Sequence, residues 1–278
     1  MPMPLKRALY RFPALARLIR GGLNAAAPAG LSQITVAAGA LQGCRLLLDL
    51  HTEKDYWLGV YEPELQAAAG WVRPGWTIYD VGANIGYISL LLACAAGPDG
   101  RVFAFEALPD NLERLHANLA LNDLQPRVTV IPAAVIDGQR PVRFLVGPSG
   151  AMGKAEGSAG RQEVRYAGAI EVDGLSLDEF VYTLGNPAPQ LVKMDIEGGE
   201  VLALPGMRRL LAQARPLVFL EQHGPESAQA AWQAFTAAGY QVRRMQPGYP
   251  AVAALDQLDW KAYLIAVPPG FQPPAAAA

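Results

Sequence analysis

The sequence predicts an α/β fold in which helices cover both faces of a mostly parallel sheet. From residue 77 onward, short apolar segments alternate with segments of helical periodicity, a pattern typical of repeated strand–helix units. A glycine-containing turn joins the first of these strands to the first helix, within residues 78–86. Several strands end in acidic side chains, at the sheet edge where open α/β folds bind ligands.

Residues 1–70 are predicted to form a small α+β extension that covers the substrate side of the main domain. Residues 5–20 interleave cations with apolar residues and lack the continuous apolar run of a membrane span. This pattern fits either a solvated amphipathic helix or a helix in peripheral contact with an anionic membrane. A linker at 21–31, a β element at 34–50 and a helix with Pro63 in its first turn complete the extension.

The main domain is predicted over residues 71–270, with a disordered tail at 271–278. Its parallel strands are expected at 77–81, 101–106, 128–132, 190–195 and 216–221, and antiparallel strands near 240–245 and 261–267. The helices are expected at 86–96, 109–122, 199–213 and 225–238. Short strands at 142–146 and 163–172 flank a Gly- and Ser-containing loop at 147–160, which is expected to lie over the ligand crevice as a lid.

The composition narrows the classes of partner. The chain has 278 residues, with 23 basic and 25 acidic side chains, so it has no charge excess suited to a nucleic-acid backbone. Its two cysteines, Cys44 and Cys94, form no disulfide framework or metal-binding pattern. We therefore expect no nucleic-acid partner, no integral membrane segment and a cytoplasmic location. The oligomeric state is left open.

The glycine turn predicts a nucleotide-type ligand site. The order Asp80-x-Gly82-x-x-x-Gly86 differs from the G-x-G-x-x-G fingerprint of dinucleotide sites. It suits S-adenosylmethionine (SAM), which has a ribose and a methionyl carboxylate but no pyrophosphate. Glu106 ends the second strand, where a carboxylate accepts hydrogen bonds from ribose hydroxyls.

Four strand ends carry polar groups that reinforce this interpretation: Asp80, Glu106, Asp195 with Glu197, and Glu221 with His223. An acidic residue near a helix N-terminus stabilises the helix by about 0.3–1 kcal/mol, and Glu200 is expected to act in that way. Helix capping does not account for all four positions, because an unpaired charge in a crevice is unfavourable.

Several motifs together resemble the FkbM family of SAM-dependent methyltransferases. They are Asp80-Val-Gly-Ala-Asn-Ile-Gly-Tyr87, Phe105-Glu-Ala-Leu-Pro-Asp-Asn111, Val172-Asp-Gly-Leu-Ser-Leu-Asp-Glu-Phe180, Leu191-Val-Lys-Met-Asp-Ile-Glu-Gly-Gly-Glu200 and Phe219-Leu-Glu-Gln-His223. The resemblance implies a Rossmann-like class I methyltransferase fold with a seven-stranded sheet. It also implies SAM as the cofactor.

For the methionine part of SAM, the resemblance implies four residues. Asp80 would face the methionyl amine, directly or through water. Gly82 and Gly86 would let the backbone approach the methionine, and Asn84 would shape the turn.

For the adenosine part, the resemblance implies that Glu106 binds the ribose and that the backbone around Ala134 contacts the adenine. Residues 133–135 are equally well explained as ordinary strand core. Asp137 is a further candidate, as a hydrogen-bond partner of the exocyclic amine.

The predicted catalytic residues are Asp195 and His223. An alcohol is a poor nucleophile until a base or a metal takes up its proton. Asp195 is the candidate base, and His223 either assists it or is a buried structural histidine. We expect no metal, although Asp195 and Glu197 could share a Mg²⁺ ion as an alternative. Lys193 points to the same face of its strand as Asp195 and is expected to pair with a carboxylate.

The sequence therefore predicts a SAM-dependent O-methyltransferase that acts on a hydroxyl of a small molecule, a sugar or a lipid-linked glycan. A non-catalytic SAM-binding scaffold is an alternative. An NAD-linked reductase is disfavoured, because it would need the three-glycine fingerprint.

Overall fold

The structure is a computed structural model that describes residues 29–147, 153–161 and 163–273. The predicted helix at 5–20, most of the linker and the end of the tail lie outside the described residues. The strands are β1 (Leu31–Thr35), β2 (Arg45–Asp49), β3 (Thr77–Val81), β4 (Arg101–Glu106), β5 (Val128–Pro132), β6 (Ala134–Val135), β7 (Arg140–Val146), β8 (Lys154–Ala155), β9 (Gly168–Leu175), β10 (Leu191–Met194), β11 (Leu217–His223), β12 (Gln241–Arg244) and β13 (Lys261–Val267).

The α-helices are α1 (Lys54–Trp57), α2 (Pro63–Ala68), α3 (Tyr87–Ala95), α4 (Pro109–Leu121), α5 (Leu177–Tyr182), α6 (Glu200–Ala203), α7 (Arg208–Gln213) and α8 (Pro225–Ala237). Three 3₁₀ turns cover Ala69–Trp71, Leu204–Met207 and Leu255–Gln257. Within the described part of the chain, no helix is long and apolar enough to cross a membrane.

Seven strands form the central sheet, in the order β12-β13-β11-β10-β3-β4-β5. The five strands from β11 to β5 are parallel, and β13 runs antiparallel to both of its neighbours. The chain winds outward from β3 through β4 and β5, and later in the opposite direction from β10. The switch point between β3 and β10 is the place where such sheets bind ligands. The predicted seven-stranded α/β fold is confirmed.

Apolar side chains bury both faces of this sheet. Every residue of β11 and β10 is buried. One face packs against α3 and α4 through side chains such as Leu90 and Leu115, and the other against α5, α7 and α8 through Phe180, Leu210 and Phe235. Full burial of one such side chain stabilises the fold by about 1.5–3 kcal/mol.

The N-terminal β1–β2 pair is attached to α4 by side chains of that helix. Asn118 accepts a hydrogen bond from the Leu47 N–H at 2.7 Å, and Arg114 donates to the Leu47 carbonyl at 2.8 Å. Leu46 and Leu48 belong to the same apolar cluster as Leu90. The described part of the predicted extension therefore shares the main core, and residue 70 does not separate two cores.

The predicted tail also begins too early. The Phe271 ring stacks on Trp71 with ring centroids 6.2 Å apart, and Arg73 donates to the Gln272 carbonyl at 2.9 Å. Phe271 and Gln272 therefore pack on the domain, whereas residues 274–278 lie outside the described residues.

A second sheet, in the order β6-β9-β7-β8, lies between β5 and β10 in the chain. The sequence predicted strands near β7 and β9 but missed the two-residue strands β6 and β8. It also missed α5, although Ser176 and Glu179 form a capping box at its start. The predicted helix at 199–213 is interrupted by the 3₁₀ turn that contains Pro205, whose missing N–H disfavours a continuous α-helix.

Candidate active site

A cleft opens at the carboxyl ends of β3, β4, β10 and β11, at the switch point of the sheet. It encloses about 1100 Å³ of space that is open to solvent. Four predicted cofactor residues line it, namely Gly82, Asn84, Glu106 and Ala134, as do Asp195 and Glu197.

The turn after β3 is held against the neighbouring strands by its backbone. The N–H groups of Gly82 and Ala83 both donate to the Phe105 carbonyl, at 3.0 and 2.9 Å. Gly82 has a φ of +79°, and a Cβ added there would lie 1.9 Å from the Asp195 carbonyl oxygen. Only glycine therefore lets the turn pass this close to the β10 terminus. Gly86 precedes α3 and does not itself line the cleft.

Glu106 ties the turn to β4. Its carboxylate accepts hydrogen bonds from the N–H groups of Asn84, Ala107 and Leu108 at 2.8–2.9 Å. The Asn111 side chain is a further donor. Burial raises the pKa of Glu106 even though these hydrogen bonds favour its charged form. A carboxylate offers about four acceptor positions, so a ribose hydroxyl would have to replace one of these donors.

Asp80 lies beneath the cleft and does not line it. Its side chain is fully buried, accepts a hydrogen bond from the Ser89 hydroxyl at 2.6 Å and pairs with the Lys193 ammonium at 3.0 Å. Lys193 also donates to the Gly82 carbonyl at 2.8 Å. Burial alone would lower the pKa of Lys193, but the charge of Asp80 raises it above its ordinary value. The predicted pairing of Lys193 with a carboxylate is present, and the pair supports the turn from below.

The second sheet supplies one wall of the cleft. Ala133, Ala134 and Val135 line it, together with Phe144 and Gly153. Asp137 does not reach it: its carboxylate pairs with Arg140 at 2.6 Å on the protein surface. The contact of Asp137 with the adenine amine stays a prediction that the lining of the cleft does not support, because Asp137 is paired with Arg140 outside it.

The described end of the predicted lid is fastened to the protein. Lys154 donates to the carbonyls of Ala159 and Arg161, and the Ala159 N–H donates to the Gly198 carbonyl at 2.9 Å. Residues 153–161 are thus attached to the protein, Gly153 and Ala155 line the cleft, and residues 148–152 lie outside the described residues.

Asp195 lies in the cleft, and its side chain is 19% exposed. Burial and the neighbouring carboxylate of Glu221 raise its pKa to about 7, although Lys193 and His223 act in the opposite direction. Glu221 itself is held ionised: burial raises its pKa, but hydrogen bonds to His223 and Lys261 lower it to about 2. Asp195 is therefore a carboxylate whose proton affinity is tuned close to neutrality, as a general base requires.

His223 is buried and does not line the cleft. Its Nε2 lies 3.0 Å from Glu221 Oε1 and 4.0 Å from both Asp195 Oδ1 and Glu197 Oε2. Its Nδ1 lies 3.7 Å from Glu200. Burial lowers the pKa of His223, but Glu200 and Glu221 raise it to about 10. A histidine that keeps its proton at neutral pH does not act as a base, so the structure favours the structural alternative for His223.

Glu200, expected at a helix start, performs a related structural task. It is fully buried, accepts a hydrogen bond from the Ser227 hydroxyl at 2.8 Å and one from the Ile196 N–H at 3.3 Å. It therefore fixes the turn between β10 and α6 on which Asp195 and Glu197 lie.

Asp195, Glu197 and His223 also form a group that could hold a metal ion. One ligand atom of each lies within 4.8 Å of the others. The sequence proposed the two carboxylates as the alternative metal ligands, and the fold adds the histidine. A histidine binds metal as the neutral imidazole, and without an ion the surrounding carboxylates raise the pKa of His223, so an ion would have to displace its proton.

The sequence predicted that residues 1–70 cover the substrate side of the domain, but it did not identify the side chains that line the cleft from there. Tyr56, Tyr61 and Glu62 come from the segment between β2 and α2, and Lys261 comes from β13. The Tyr56 and Tyr61 rings stack with centroids 4.1 Å apart, and the Tyr87 ring lies 5.5 Å from Tyr61. Apart from Tyr87, these residues lie outside the motifs, and their local sequence gives no signal beyond the cluster of aromatic side chains.

The charges of the cleft fit SAM better than a dinucleotide. Five carboxylates line it (Glu62, Glu106, Asp195, Glu197 and Glu221), against the two lysines Lys193 and Lys261 among the described lining residues. SAM has a sulfonium and an ammonium group, which negative surroundings stabilise. A pyrophosphate would meet like charges. The fold and the site therefore define a methyltransferase domain.

Comparisons with known proteins support this class. The Methyltransferase FkbM domain family matches residues 80–242, which is more than half of the chain. The chain belongs to this family, and SAM is the family's cofactor. The predicted resemblance and the predicted cofactor are thereby confirmed, while the assignment of individual residues to SAM stays a prediction.

Individual relatives match over shorter stretches. The hexuronic acid methyltransferase AglP of Haloferax volcanii is 34% identical over 148 residues, which cover 52% of this chain and 55% of that protein. An arsenite methyltransferase of Halobacterium salinarum is 34% identical over 71 residues, covering 26% of this chain and 17% of that protein. The chain thus spans about half or less of the length of these relatives.

Among solved structures, methyltransferase FkbM from Methylobacillus flagellatus KT shares 19% sequence identity with this chain. The alignment has a TM-score of 0.46 and covers 77% of this chain and 52% of that one.

Proposed function

We propose that this protein is a SAM-dependent O-methyltransferase whose acceptor is a sugar hydroxyl, with Asp195 as the general base. The observation that carries this proposal is the position of Asp195: it lies in the cleft, beside the glycine turn, with its pKa raised to about 7. The matching segment of AglP, a hexuronic acid methyltransferase by name, supports a sugar as the acceptor class.

When bound, SAM supplies an electrophilic methyl group on a sulfonium centre. The chain's residues have two tasks, to position the acceptor hydroxyl and to take up its proton. Positioning alone is worth about 7–11 kcal/mol in favourable cases. Asp195 accepts the proton, and its raised pKa lets the carboxylate form exist near neutral pH while it still has a high proton affinity.

The neighbours of Asp195 keep it in this state. The Gly82 contact fixes its backbone, and Glu221 lies close enough to raise its proton affinity. His223 stays protonated, and its positive charge offsets part of the negative charge of Glu221 and Glu197. We therefore assign His223 a positioning role, not a catalytic one.

We favour a metal-free reaction. A metal at Asp195, Glu197 and His223 would have to remove the proton of His223 and break its 3.0 Å contact with Glu221. Metal-assisted transfer is the second candidate, because these three residues are within reach of one ion.

The experiment is methyl transfer from SAM labelled with ¹³C in its methyl group to hexosides and hexuronic acids. The product is read by NMR, where O-methyl and N-methyl groups have different chemical shifts. We expect an O-methyl signal whose intensity is unchanged by exhaustive chelation. An N-methyl product, or no transfer to any sugar, would contradict the proposal. A signal lost in EDTA and restored by Mg²⁺ would replace the metal-free reaction with the metal-assisted one.

A further inference from the structure

Glu62 occupies an unusual position for an acidic residue at a helix start. It is the N-cap of α2, yet its side chain makes no capping hydrogen bond. The Glu62 carboxyl instead lines the cleft, where burial raises its pKa and the nearby Tyr263 hydroxyl lowers it, and Oε2 is buried without a hydrogen-bond partner in the described residues.

The backbone at Glu62 is strained in a way that serves this orientation. Its φ is +47°, in the left-handed region that non-glycine residues rarely adopt. Asn84 and Glu197, two other residues that line the cleft, also have positive φ values, of +50° and +53°. Strain of this kind persists where the surrounding structure demands a particular side-chain direction, as at ligand sites.

The segment that carries Glu62 is held rigidly against the cofactor turn. The Gln66 side-chain amide donates to the carbonyls of Gly59 and Tyr61 and lies 3.4 Å from the Tyr87 hydroxyl. Tyr87 is the first residue of α3, directly after the turn. Glu62 and the Tyr61 ring thus have a fixed relation to the site of methyl transfer.

An aromatic face beside a carboxyl group matches the chemistry of a sugar ring. The C–H face of a pyranose packs against an aromatic ring, and its equatorial hydroxyls hydrogen-bond to a carboxyl group in the same plane. Tyr61, stacked on Tyr56 at 4.1 Å, and Glu62 both line the cleft, and Glu62 Oε2 is a buried oxygen that has no hydrogen-bond partner among the described residues.

The charges indicate which sugars fit. Both lysines among the described lining residues are already paired, Lys193 with Asp80 and Lys261 with Glu221. Burial, followed by the charges of Glu221 and Asp195, raises the pKa of Glu62 to about 8. The negative charges in the cleft favour the protonated form of its own carboxyl groups. They would therefore disfavour binding of the additional carboxylate of a hexuronic acid.

We propose that residues Tyr56–Glu62 form the acceptor subsite, in which Tyr61 stacks on a neutral sugar ring and Glu62 hydrogen-bonds its hydroxyls. This inference rests on the proposed methyltransferase function and narrows its substrate class from sugars in general to uncharged ones. Glu62 lies outside the family match at residues 80–242, so the family assignment does not by itself define this subsite.

Binding without chemistry tests the subsite. The full chain is saturated with S-adenosylhomocysteine and titrated at pH 7 with the methyl glycosides of glucose, galactose and mannose, and with glucuronic acid, followed by saturation-transfer NMR. We expect at least one neutral glycoside to bind at least tenfold more tightly than glucuronic acid. Equal or tighter binding of glucuronic acid, or no binding of any of these sugars, overturns the proposal.

Variants separate ligand binding from folding. Glu62→Leu should weaken glycoside binding at least tenfold and leave the affinity for S-adenosylhomocysteine within about twofold. Glu62→Gln should restore most of the binding at pH 7, because it keeps two hydrogen-bonding atoms in the same place. The matched control is Glu64→Leu. Glu64 is two residues after Glu62 and does not line the cleft, so its replacement should have no effect on binding.

The backbone strain at Glu62 gives a second measurement, the melting temperature, which distinguishes ligand binding from a purely structural role of this residue. Glu62→Gly should raise the melting temperature by about 2–4 °C, since glycine adopts a positive φ freely, and still lose glycoside binding. Asp123→Gly, at an exposed residue with a φ of +55°, should raise it without changing binding. A lower melting temperature in Glu62→Gly, or joint loss of both ligands in Glu62→Leu, would make Glu62 structural. A glycoside that binds but receives no ¹³C-methyl group would contradict the proposed function and leave the subsite standing.

Discussion

Gly82 and Gly75 form a matched pair that tests how the cofactor turn and Asp195 depend on each other. Their φ values are +79° and +80°, so alanine at either position carries the same backbone penalty of about 1–2 kcal/mol. They differ in surroundings. A Cβ on Gly75 meets nothing within 4 Å, whereas a Cβ on Gly82 would lie 1.9 Å from the Asp195 carbonyl oxygen and 3.0 Å from its carbon.

Relief of that contact to 3.0 Å needs a movement of about 1 Å (3.0 Å minus 1.9 Å), either of the turn or of the β10 terminus. Misplacement of a reacting group by about 1 Å can lower a rate by about 10²-fold. Gly75→Ala should therefore lower the free energy of unfolding by about 1–2 kcal/mol with normal turnover. Gly82→Ala should lower it further and reduce both turnover and SAM affinity.

The assays are urea unfolding of both variants, calorimetric titration with S-adenosylhomocysteine, and turnover. If the two variants lose the same stability and both keep normal ligand affinity and turnover, the close approach of Gly82 to Asp195 does not hold the site together. That result would refute the geometric argument.

Two further predictions concern buried titrating groups. Glu106→Gln removes the negative charge that the ribose hydroxyl would contact. The affinity for S-adenosylhomocysteine, measured by calorimetry, should fall at least tenfold, since one charge-assisted hydrogen bond is worth about 1.5–3 kcal/mol. Unchanged affinity would contradict the role of Glu106 in binding the ribose. His223 has its pKa raised from 6.5 to about 10 in the folded state, so its contribution to stability is complete below pH 6.5 and is lost as the pH rises through about 10. The free energy of unfolding should therefore fall between pH 7 and 10, and His223→Gln should flatten that slope; parallel slopes in the two proteins would contradict the raised pKa.

The central sheet could be predicted from sequence because its strands are buried on both faces. Such strands are short apolar runs between turn signals, and β11, with all seven residues buried, is the clearest case. The strands β6 and β8 have two residues each and so carry no periodicity to detect. The helix α5 has six residues, and its only strong signal is the capping box of Ser176 and Glu179.

The cofactor side of the site was predictable for a related reason. Gly82, Glu106 and Asp195 directly follow or end predicted parallel strands, so topology alone brings them to one edge. Asp137 is an exception to this rule. It does not line the cleft, and its carboxylate pairs with Arg140. In the sequence, Asp137 follows a strand as Asp195 does. Its strand, β6, belongs to the second sheet, and local sequence patterns do not define that sheet.

The sequence predicted residues 1–70 as a cover over the substrate side, but it did not predict which side chains of that segment line the cleft. Glu62 precedes Pro63, a combination that indicates an ordinary helix N-cap, and nothing local shows that its side chain turns into the cleft. Lys261 reaches the same place from β13, through antiparallel pairing with β11. The protonation state of His223 could not be predicted from sequence either. The carboxylates around it raise its pKa, and they come together only in the fold.

The pH dependence of turnover in Asp195→Asn tests the central claim most directly. In the unmodified protein, kcat/KM should rise with pH and level off above about 7, as the Asp195 carboxylate loses its proton. Asp195→Asn should bind S-adenosylhomocysteine normally, lower turnover by about 10²–10⁴-fold and lose the rise near pH 7. A variant that keeps wild-type turnover, or that keeps the same rise with pH, would show that Asp195 is not the base.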